Sequence, residues 1–205
     1  MGSDMMARDD AQADDAVLNM LARRRSVPAA RLAAPGPTLA QLETMLTLAA
    51  RVRDHGALAP WRFIVVEGEA RTALAGRLAA ACIAEARDAP AQEQAQKTVQ
   101  KLKWLFGTPP LVIVVVSRPD ATAKIPVQEQ VLSAGAVCMN LMTAATVLGF
   151  GTNWLTGWAS ANPAARPILG LAEGESVAGV IPVGTATEQP AERPRPTLSA
   201  IVTRV

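Results

Sequence analysis

The chain has 205 residues, of which 50% are hydrophobic and 19% charged, so it can form one domain with a sizeable core and is not an intrinsically disordered protein. Its 20 basic and 18 acidic residues give a net charge of +2, which offers no support for a nucleic-acid-binding surface. The two cysteines, Cys82 and Cys138, lie in helical patterns without metal-ligand spacing. This usage predicts a reduced, cytoplasmic protein without a metal site.

The N-terminal residues are polar and acidic and contain no apolar segment of the kind that secretory signals carry. We therefore predict a flexible leader over residues 1–15 and a single domain over residues 16–205. Asp14 or Asp15 can cap a first helix, which ends in an arginine triplet followed by Ser26.

The next predicted elements alternate between helix and strand. Thr38 and Gln41 are spaced as a capping box that opens a second helix. A strand is predicted over residues 62–66, and a helical pattern over 69–106 is interrupted near Ala89-Pro90. The run 111–116 consists mainly of β-branched residues, which is typical of a central strand covered on both faces.

A long helix is predicted over residues 127–148. No charged residue occurs between Glu129 and Arg166, but polar residues interrupt this stretch, so a buried core helix fits better than a membrane span. A short strand over 152–155 and a last strand over 177–183 follow, and the tail from about 185 to 205 is expected to be extended. The pattern predicts an α+β fold with helices around a small mixed sheet, in preference to a doubly wound parallel sheet.

Several common catalytic motifs are absent from the sequence. No G-x-G-x-x-G follows a predicted strand, and there is no Walker A loop, no H-E-x-x-H and no G-x-S-x-G. His55 is the only histidine, and no nucleophile motif accompanies it. These absences argue against nucleotide hydrolysis, zinc catalysis and a hydrolase triad.

Three segments carry a resemblance to a known family. They are Arg24-Arg25-Ser26, the strand entry Pro60-Trp61-Arg62-Phe63, and the segment from Gly149 to Gly157, which reads G-F-G-T-N-W-L-T-G after a long helix rich in small residues. Their order and spacing resemble the nitroreductase family, most closely its compact bacterial single-domain subgroup, from about residue 18 to 184.

The resemblance implies an α+β fold with a small, mainly antiparallel sheet surrounded by helices. It implies a homodimer with FMN at the subunit interface, NADH or NADPH as electron donor, and nitro compounds, quinones or similar small molecules as acceptors, but neither nucleic acid nor membrane as partner. The chemistry would be carried by FMN in a ping-pong cycle. On matching positions, the residues that would bind FMN are Arg24, Arg25, Ser26, Arg51, His55, Trp154, Leu155 and Thr156, with Arg51 and His55 contributed by the second subunit. The segment near the nicotinamide nucleotide would be Ala144, Ala145, Thr146, Val147, Leu148 and Gly149.

The residue chemistry agrees with a flavin phosphate site, because arginine side chains supply bidentate, permanently charged donors to a phosphate. Two features depart from the family pattern. Ala59 precedes Pro60 where the family often has Gln or Asn, and the C-terminal arginine expected near the phosphate has two candidates, Arg193 and Arg195. Because of Ala59, a non-catalytic flavin-binding module for storage or sensing is kept as an alternative. A scaffold domain without a cofactor is a third hypothesis. Trp154 fits either a core position or the flavin wall.

Overall fold

The computed structural model describes residues 14–205, so most of the predicted leader lies outside the described residues. Asp14 and Asp15 belong to the first helix, because α1 spans Asp15–Arg23 and the Asp14 carboxylate accepts hydrogen bonds from two backbone N–H groups of its first turn. None of the residues in α1 is buried. Its apolar positions are each about half exposed: Val17 46%, Leu18 53% and Leu21 50%.

Five strands form one sheet in the described part of the chain, and every pairing in it is antiparallel. The strand order is β1-β5-β3-β2, and β4 also pairs with β5. This confirms the antiparallel sheet that the family resemblance implied and corrects the mixed sheet expected from the pattern. The strands are β1 Leu32–Ala33, β2 Trp61–Glu67, β3 Leu111–Ser117, β4 Gly151–Thr152 and β5 Ser176–Ala186.

Eight α-helices surround this sheet in residues 14–205. The predicted capping box of Thr38 and Gln41 is confirmed at the start of the second helix. Asp88 caps the fourth helix through the Ala91 N–H, which places the predicted interruption just before Ala89. The helices after α1 are α2 Leu39–Ala49, α3 Glu69–Ala84, α4 Ala89–Gly107, α5 Val127–Val147, α6 Trp158–Ala161, α7 Ala165–Leu169 and α8 Leu198–Ile201.

Two boundary predictions were wrong. The strand predicted over 152–155 ends at Thr152, because the Asn153 side chain accepts a hydrogen bond from the Trp154 N–H and turns the chain. Leu155 then pairs with the sheet again through a single bridge to Val180. The last strand continues to Ala186, because its C-terminal end pairs with β1 and β4. The tail predicted to be extended contains the short helix α8.

Strand β3 divides the hydrophobic core into two layers, because successive side chains of a strand point to opposite faces. All seven of its residues are buried. Leu111, Ile113 and Val115 face a layer formed by α2 and α5. The alternate residues 112, 114 and 116 face α3, α4 and α7.

Helix α5 is long and apolar enough to cross a membrane by length and composition, and half of its most apolar window is buried inside the protein. Its buried positions include Val137 and Leu141, which are fully enclosed and belong to the layer between α2 and the sheet. This packing agrees with the core helix predicted from the sequence.

An ion pair fastens β2 to the loop before β5. The Arg62 guanidinium donates from Nε and Nη2 to the Glu175 carboxylate at 2.7 and 2.6 Å, and Nη2 also donates to the Gly170 carbonyl. The Ala172 N–H donates to the same carboxylate at 2.8 Å. These hydrogen bonds lower the pKa of the Glu175 carboxyl to about 2, and those from Arg62 have the largest effect.

Candidate active site

Arginine side chains converge where α1 ends. The helix stops at Arg23 because Arg24 has an extended backbone, with ψ of 131°. Among residues 14–205, the Arg24 Nη1 atom is buried and has no hydrogen-bond partner. Burial, followed by the positive charges of Arg195, Arg193 and Arg25, lowers the pKa of the Arg24 guanidinium. A half-buried guanidinium with one buried, unpaired nitrogen and other cations around it forms a site that an anion would stabilise.

The C-terminal tail reaches this arginine cluster through Glu192. The Glu192 carboxylate forms ion pairs with Arg25 and, at 3.3 Å, with Arg195. The two candidate arginines of the tail therefore lie close to the arginines that follow α1. Four arginines face one carboxylate in this cluster, so its charge remains strongly positive.

A cavity of about 290 Å³ opens beside the arginines. Arg24 and Arg25 line one side of it, while Thr146, Gly149 and Phe150 line the other side at the end of α5. The structure thus brings part of the segment expected near a nicotinamide nucleotide next to the arginine cluster.

The remainder of that segment is placed differently. Ala144 and Ala145 are buried in the core, at 4% and 0% exposure, because they face inward from the last turns of α5. Val147 is 62% exposed, and Leu148 packs partly against the core. Only the end of the segment from Thr146 to Gly149 therefore has surface available to a ligand.

A second cavity has a volume of about 340 Å³ and is mainly apolar. Ser26, which precedes the first of its lining residues in the chain, is exposed. Leu155 and Thr156, two of the residues expected at a flavin wall, line this cavity. Opposite them lie residues that sequence reasoning missed. They come from the turn after Ser26 and from one face of α4: Pro28, Ala29, Ala30, Lys101, Trp104 and Leu105.

One feature of the sequence and one of the structure are consistent with the α4 contribution. Lys101, Trp104 and Leu105 have the spacing i, i+3 and i+4, which places them on one helix face. Trp104 is 48% exposed, and a large aromatic side chain that is exposed beside an apolar cavity is typical of a binding surface.

Trp154 lies apart from both cavities. Its indole Nε1 donates to the Ala178 carbonyl at 3.0 Å, and the ring passes over Gly179, where a Cβ would lie 2.5 Å from Nε1. Cys138 lies beneath it, and burial raises the pKa of that thiol to about 12. Trp154 is still 37% exposed, so one part of it remains on the surface.

Arg51 and His55 lie in a third region, on the segment after α2. His55 Nδ1 is 2.9 Å from the Glu129 Oε2 atom of α5, and both residues line a recess of about 190 Å³ with Arg53 and Ser133. This recess shares no lining residue with the two cavities described above. Within one protomer His55 therefore lines neither of these two cavities.

The loop between His55 and β2 has a constrained backbone. Ala57 and Ala59 have positive φ angles of 53° and 45°, which residues other than glycine rarely adopt. The Asp54 carboxylate holds this conformation by accepting hydrogen bonds from the Leu58 and Ala59 N–H groups at 3.1 and 2.8 Å. The alanine methyl at position 59 offers no hydrogen bond where the family often has an amide.

Comparison with known proteins gives one consistent result. The family model described as "Nitroreductase family" matches residues 21–185. A relative from Escherichia coli (strain K12), named "Putative NAD(P)H nitroreductase YdjA", is 35% identical over 168 residues, which cover 82% of this chain and 87% of that protein.

Solved structures show the same fold. A nitroreductase-like family protein from Bacillus cereus has a TM-score of 0.76 and 20% identity, over 97% of this chain and 99% of its own. The FMN and NADPH-dependent nitroreductase NfnB from Sphigopyxis sp. strain HMH has a TM-score of 0.72 and 19% identity, over 92% of this chain and 98% of its own.

Proposed function

This chain belongs to the nitroreductase family, and from that premise we propose that it transfers hydride from NADH or NADPH, with FMN as carrier, to nitroaromatic, quinone or similar acceptors. It is an oxidoreductase, and the names of its relatives support FMN and NAD(P)H as cofactors. The observation that carries the proposal is the buried, unpaired Arg24 Nη1 atom within a cluster of arginines.

In this proposal the arginine cluster and the apolar cavity beside Leu155 would bind the two ends of FMN. Arg24 and Arg25, with an arginine of the tail, would hold the phosphate, since a dianion would supply the partner that Arg24 lacks. Ser26 would bind the ribityl chain. Leu155 and Thr156 would line the ring, beside the apolar cavity that α4 completes.

FMN, when bound, supplies the capacity to accept a hydride and give it up again, so the protein needs no acid or base of its own. The side chains bind and orient the ring and leave one of its faces open. In the proposed ping-pong cycle, the donor and the acceptor use that face in turn. The end of α5, from Thr146 to Gly149, would contact the nicotinamide nucleotide.

We further propose a cytoplasmic homodimer with FMN at the interface. His55 lines neither cavity of its own protomer, and by the family resemblance Arg51 and His55 would contact the flavin of the other protomer. The exposed apolar positions of α1 supply surface that a second copy could cover. Both cysteines are free and buried, in keeping with a reducing compartment.

The test is the absorption spectrum of purified protein incubated with FMN and desalted, followed by anaerobic addition of NADPH or NADH. We expect a retained flavin spectrum that bleaches with one or both donors and returns when menadione or a nitroaromatic compound is added. The double variant with Arg24 and Arg25 replaced by Ala should lose tight FMN binding. Failure of the wild-type protein to retain flavin would contradict the proposal.

One observation favours a second function, a flavin-binding module for storage or sensing. Ala59 lacks the amide that the family often places near the ring, and its backbone is held in the left-handed region. The same titration separates the two functions, because a storage or sensing module would retain flavin that neither donor bleaches.

A further inference from the structure

Polar side chains on one face of α5 hold the segment that follows α2. The Asn140 amide donates to the Arg51 carbonyl at 2.9 Å and to the Leu48 carbonyl at 3.3 Å. The Ser133 hydroxyl donates to the Arg53 carbonyl at 2.6 Å. The Leu48 carbonyl also accepts from the Arg51 N–H at 3.1 Å, whereas the Arg51 and Arg53 carbonyls lie beyond the end of α2 and are paired by these α5 side chains. The path of the backbone after α2 is therefore set by α5.

Glu129 lies on α5 one helical turn before Ser133. Of Glu129, Ser133 and Asn140, it alone forms a hydrogen bond with a side chain of the segment after α2 in the described chain. Its Oε2 atom lies 2.9 Å from His55 Nδ1. A neutral imidazole has one N–H, and a carboxylate can only accept a hydrogen bond. The contact therefore favours the tautomer with the proton on Nδ1 and leaves Nε2 as an acceptor.

From this geometry we infer that Glu129 is a positioning residue, which fixes the tautomer and ring orientation of His55 so that Nε2 is directed at the FMN of the second protomer. The inference rests on the proposed function, because that function places His55 at the flavin. Carboxylates that orient a histidine in this manner are common behind metal-binding and catalytic imidazoles. The position of Glu129 also accounts for a charged residue at the start of a helix that is otherwise uncharged.

The surroundings of the pair show why a carboxylate is needed. His55 and Glu129 are about half exposed, with side-chain exposures of 52% and 46%, so an unanchored imidazole could rotate freely in water. Arg53 lines the same recess and contributes a positive charge. A neutral amide at position 129 could either donate or accept, and it would therefore no longer select one tautomer.

The experiment uses the full-length protein with ¹⁵N-labelled histidine. Because His55 is the only histidine, each ring nitrogen gives one resonance, and a long-range ¹H–¹⁵N spectrum distinguishes the two tautomers. The spectra are recorded with and without FMN, at a pH where the imidazole titration is complete. The FMN dissociation constant is measured in parallel from the quenching of FMN fluorescence.

We expect the wild-type protein to show the Nδ1–H tautomer, and Glu129→Gln and Glu129→Ala to show mixed tautomers. FMN binding should weaken about fivefold to tenfold in both variants, which is the size of losing one hydrogen bond of about 1 kcal/mol. Glu43→Gln removes the same charge from an exposed position of α2 and should change neither readout. Unfolding midpoints should stay at the wild-type value, because Glu129 is exposed.

An Nε2–H tautomer in the wild-type protein, or an unchanged tautomer in both Glu129 variants, would overturn the inference. So would mixed tautomers in the variants with an unchanged FMN dissociation constant, and in that case the proposed function would stand. If the wild-type protein failed to bind FMN, the proposed function would fail and the inference with it.

Discussion

Replacing Arg24 with Met should change stability and FMN affinity in opposite directions. Methionine keeps the length and the apolar contacts of the arginine stem but removes the charge. In the absence of an anion, the Arg24 Nη1 atom is buried without a hydrogen-bond partner in the described chain, and three other arginines act on it. The FMN-free variant should therefore be more stable than the wild-type protein.

The magnitude of each effect follows from the same contact. A buried donor without a partner costs about 1–3 kcal/mol, so we expect a gain of about 1–2 kcal/mol in the free energy of unfolding. For a domain of this size, this corresponds to a rise of about 2–8 °C in Tm. In the complex, Arg24 would make one or two charge-assisted hydrogen bonds to the phosphate. Their loss should cost about 3 kcal/mol, or roughly a hundredfold in Kd.

The assay combines thermal unfolding of the FMN-free proteins at one protein concentration with FMN titration by fluorescence quenching. Arg87→Met is the matched control, because Arg87 is exposed in the connection between α3 and α4. It should leave Tm and Kd close to their wild-type values. A lower Tm for FMN-free Arg24→Met, or a Kd equal to that of the wild-type protein, would refute the reasoning about the anion site.

Three further substitutions test contacts and backbone conformations that stabilise the fold. Glu175→Gln should remove about 1–2 kcal/mol of stability at pH 7. The pKa of the Glu175 carboxyl is lowered from 4.5 to about 2 in the folded protein, so the contribution is present above pH 4.5 and is lost as the pH falls towards 2. The lowered pKa corresponds to about 3 kcal/mol, and the 30% exposure of the Arg62 side chain, its partner, reduces this value. Urea unfolding at pH 7 and pH 3 should show a smaller pH dependence for this variant than for the exposed control Glu173→Gln. Ala59→Gly should raise the free energy of unfolding by about 0.5–1 kcal/mol, because glycine relieves the left-handed backbone at φ 45°, and an unchanged value would show that the loop is unstrained. Gly179→Ala should destabilise the protein by about 1–3 kcal/mol, because its Cβ would displace the Trp154 indole, and chemical denaturation at wild-type stability would contradict this packing.

The parts of the fold that depend on short-range pattern could be predicted from the sequence. The β-branched run of β3 and the capping box of Thr38 and Gln41 were identified correctly, because propensity, burial and capping agree there. The ends of β4 and β5 were not, since they depend on pairing between Gly151 and Gly184 across more than thirty residues of chain. A local pattern contains no information on such a partner.

The candidate site divides in the same manner. Arg24 and Arg25 could be predicted as site candidates because the arginines and the following serine occur together with the later family motifs. Lys101 and Trp104 could not be assigned, because only the packing of α4 against the 153–156 segment brings them to Leu155. The different environments of Trp154 and Leu155 likewise follow from the bridge to Val180, which turns the two neighbouring side chains in different directions.

Strand β5 has a consequence for how a newly made chain reaches its active form. It pairs with β1, β3 and β4, and its residue Ala186 meets Leu32 from near the opposite end of the described chain. Pairings between such distant residues form slowly, because a long loop must close before they contribute any stability. Strand β5 is the last strand of the sheet to leave the ribosome. A nascent chain that ends before β5 contains the arginines after α1 and the 153–156 segment, but it lacks the strand that aligns them. Flavin capture should therefore follow the synthesis of β5, and chains truncated before β5 should accumulate as cofactor-free, proteolysis-sensitive products.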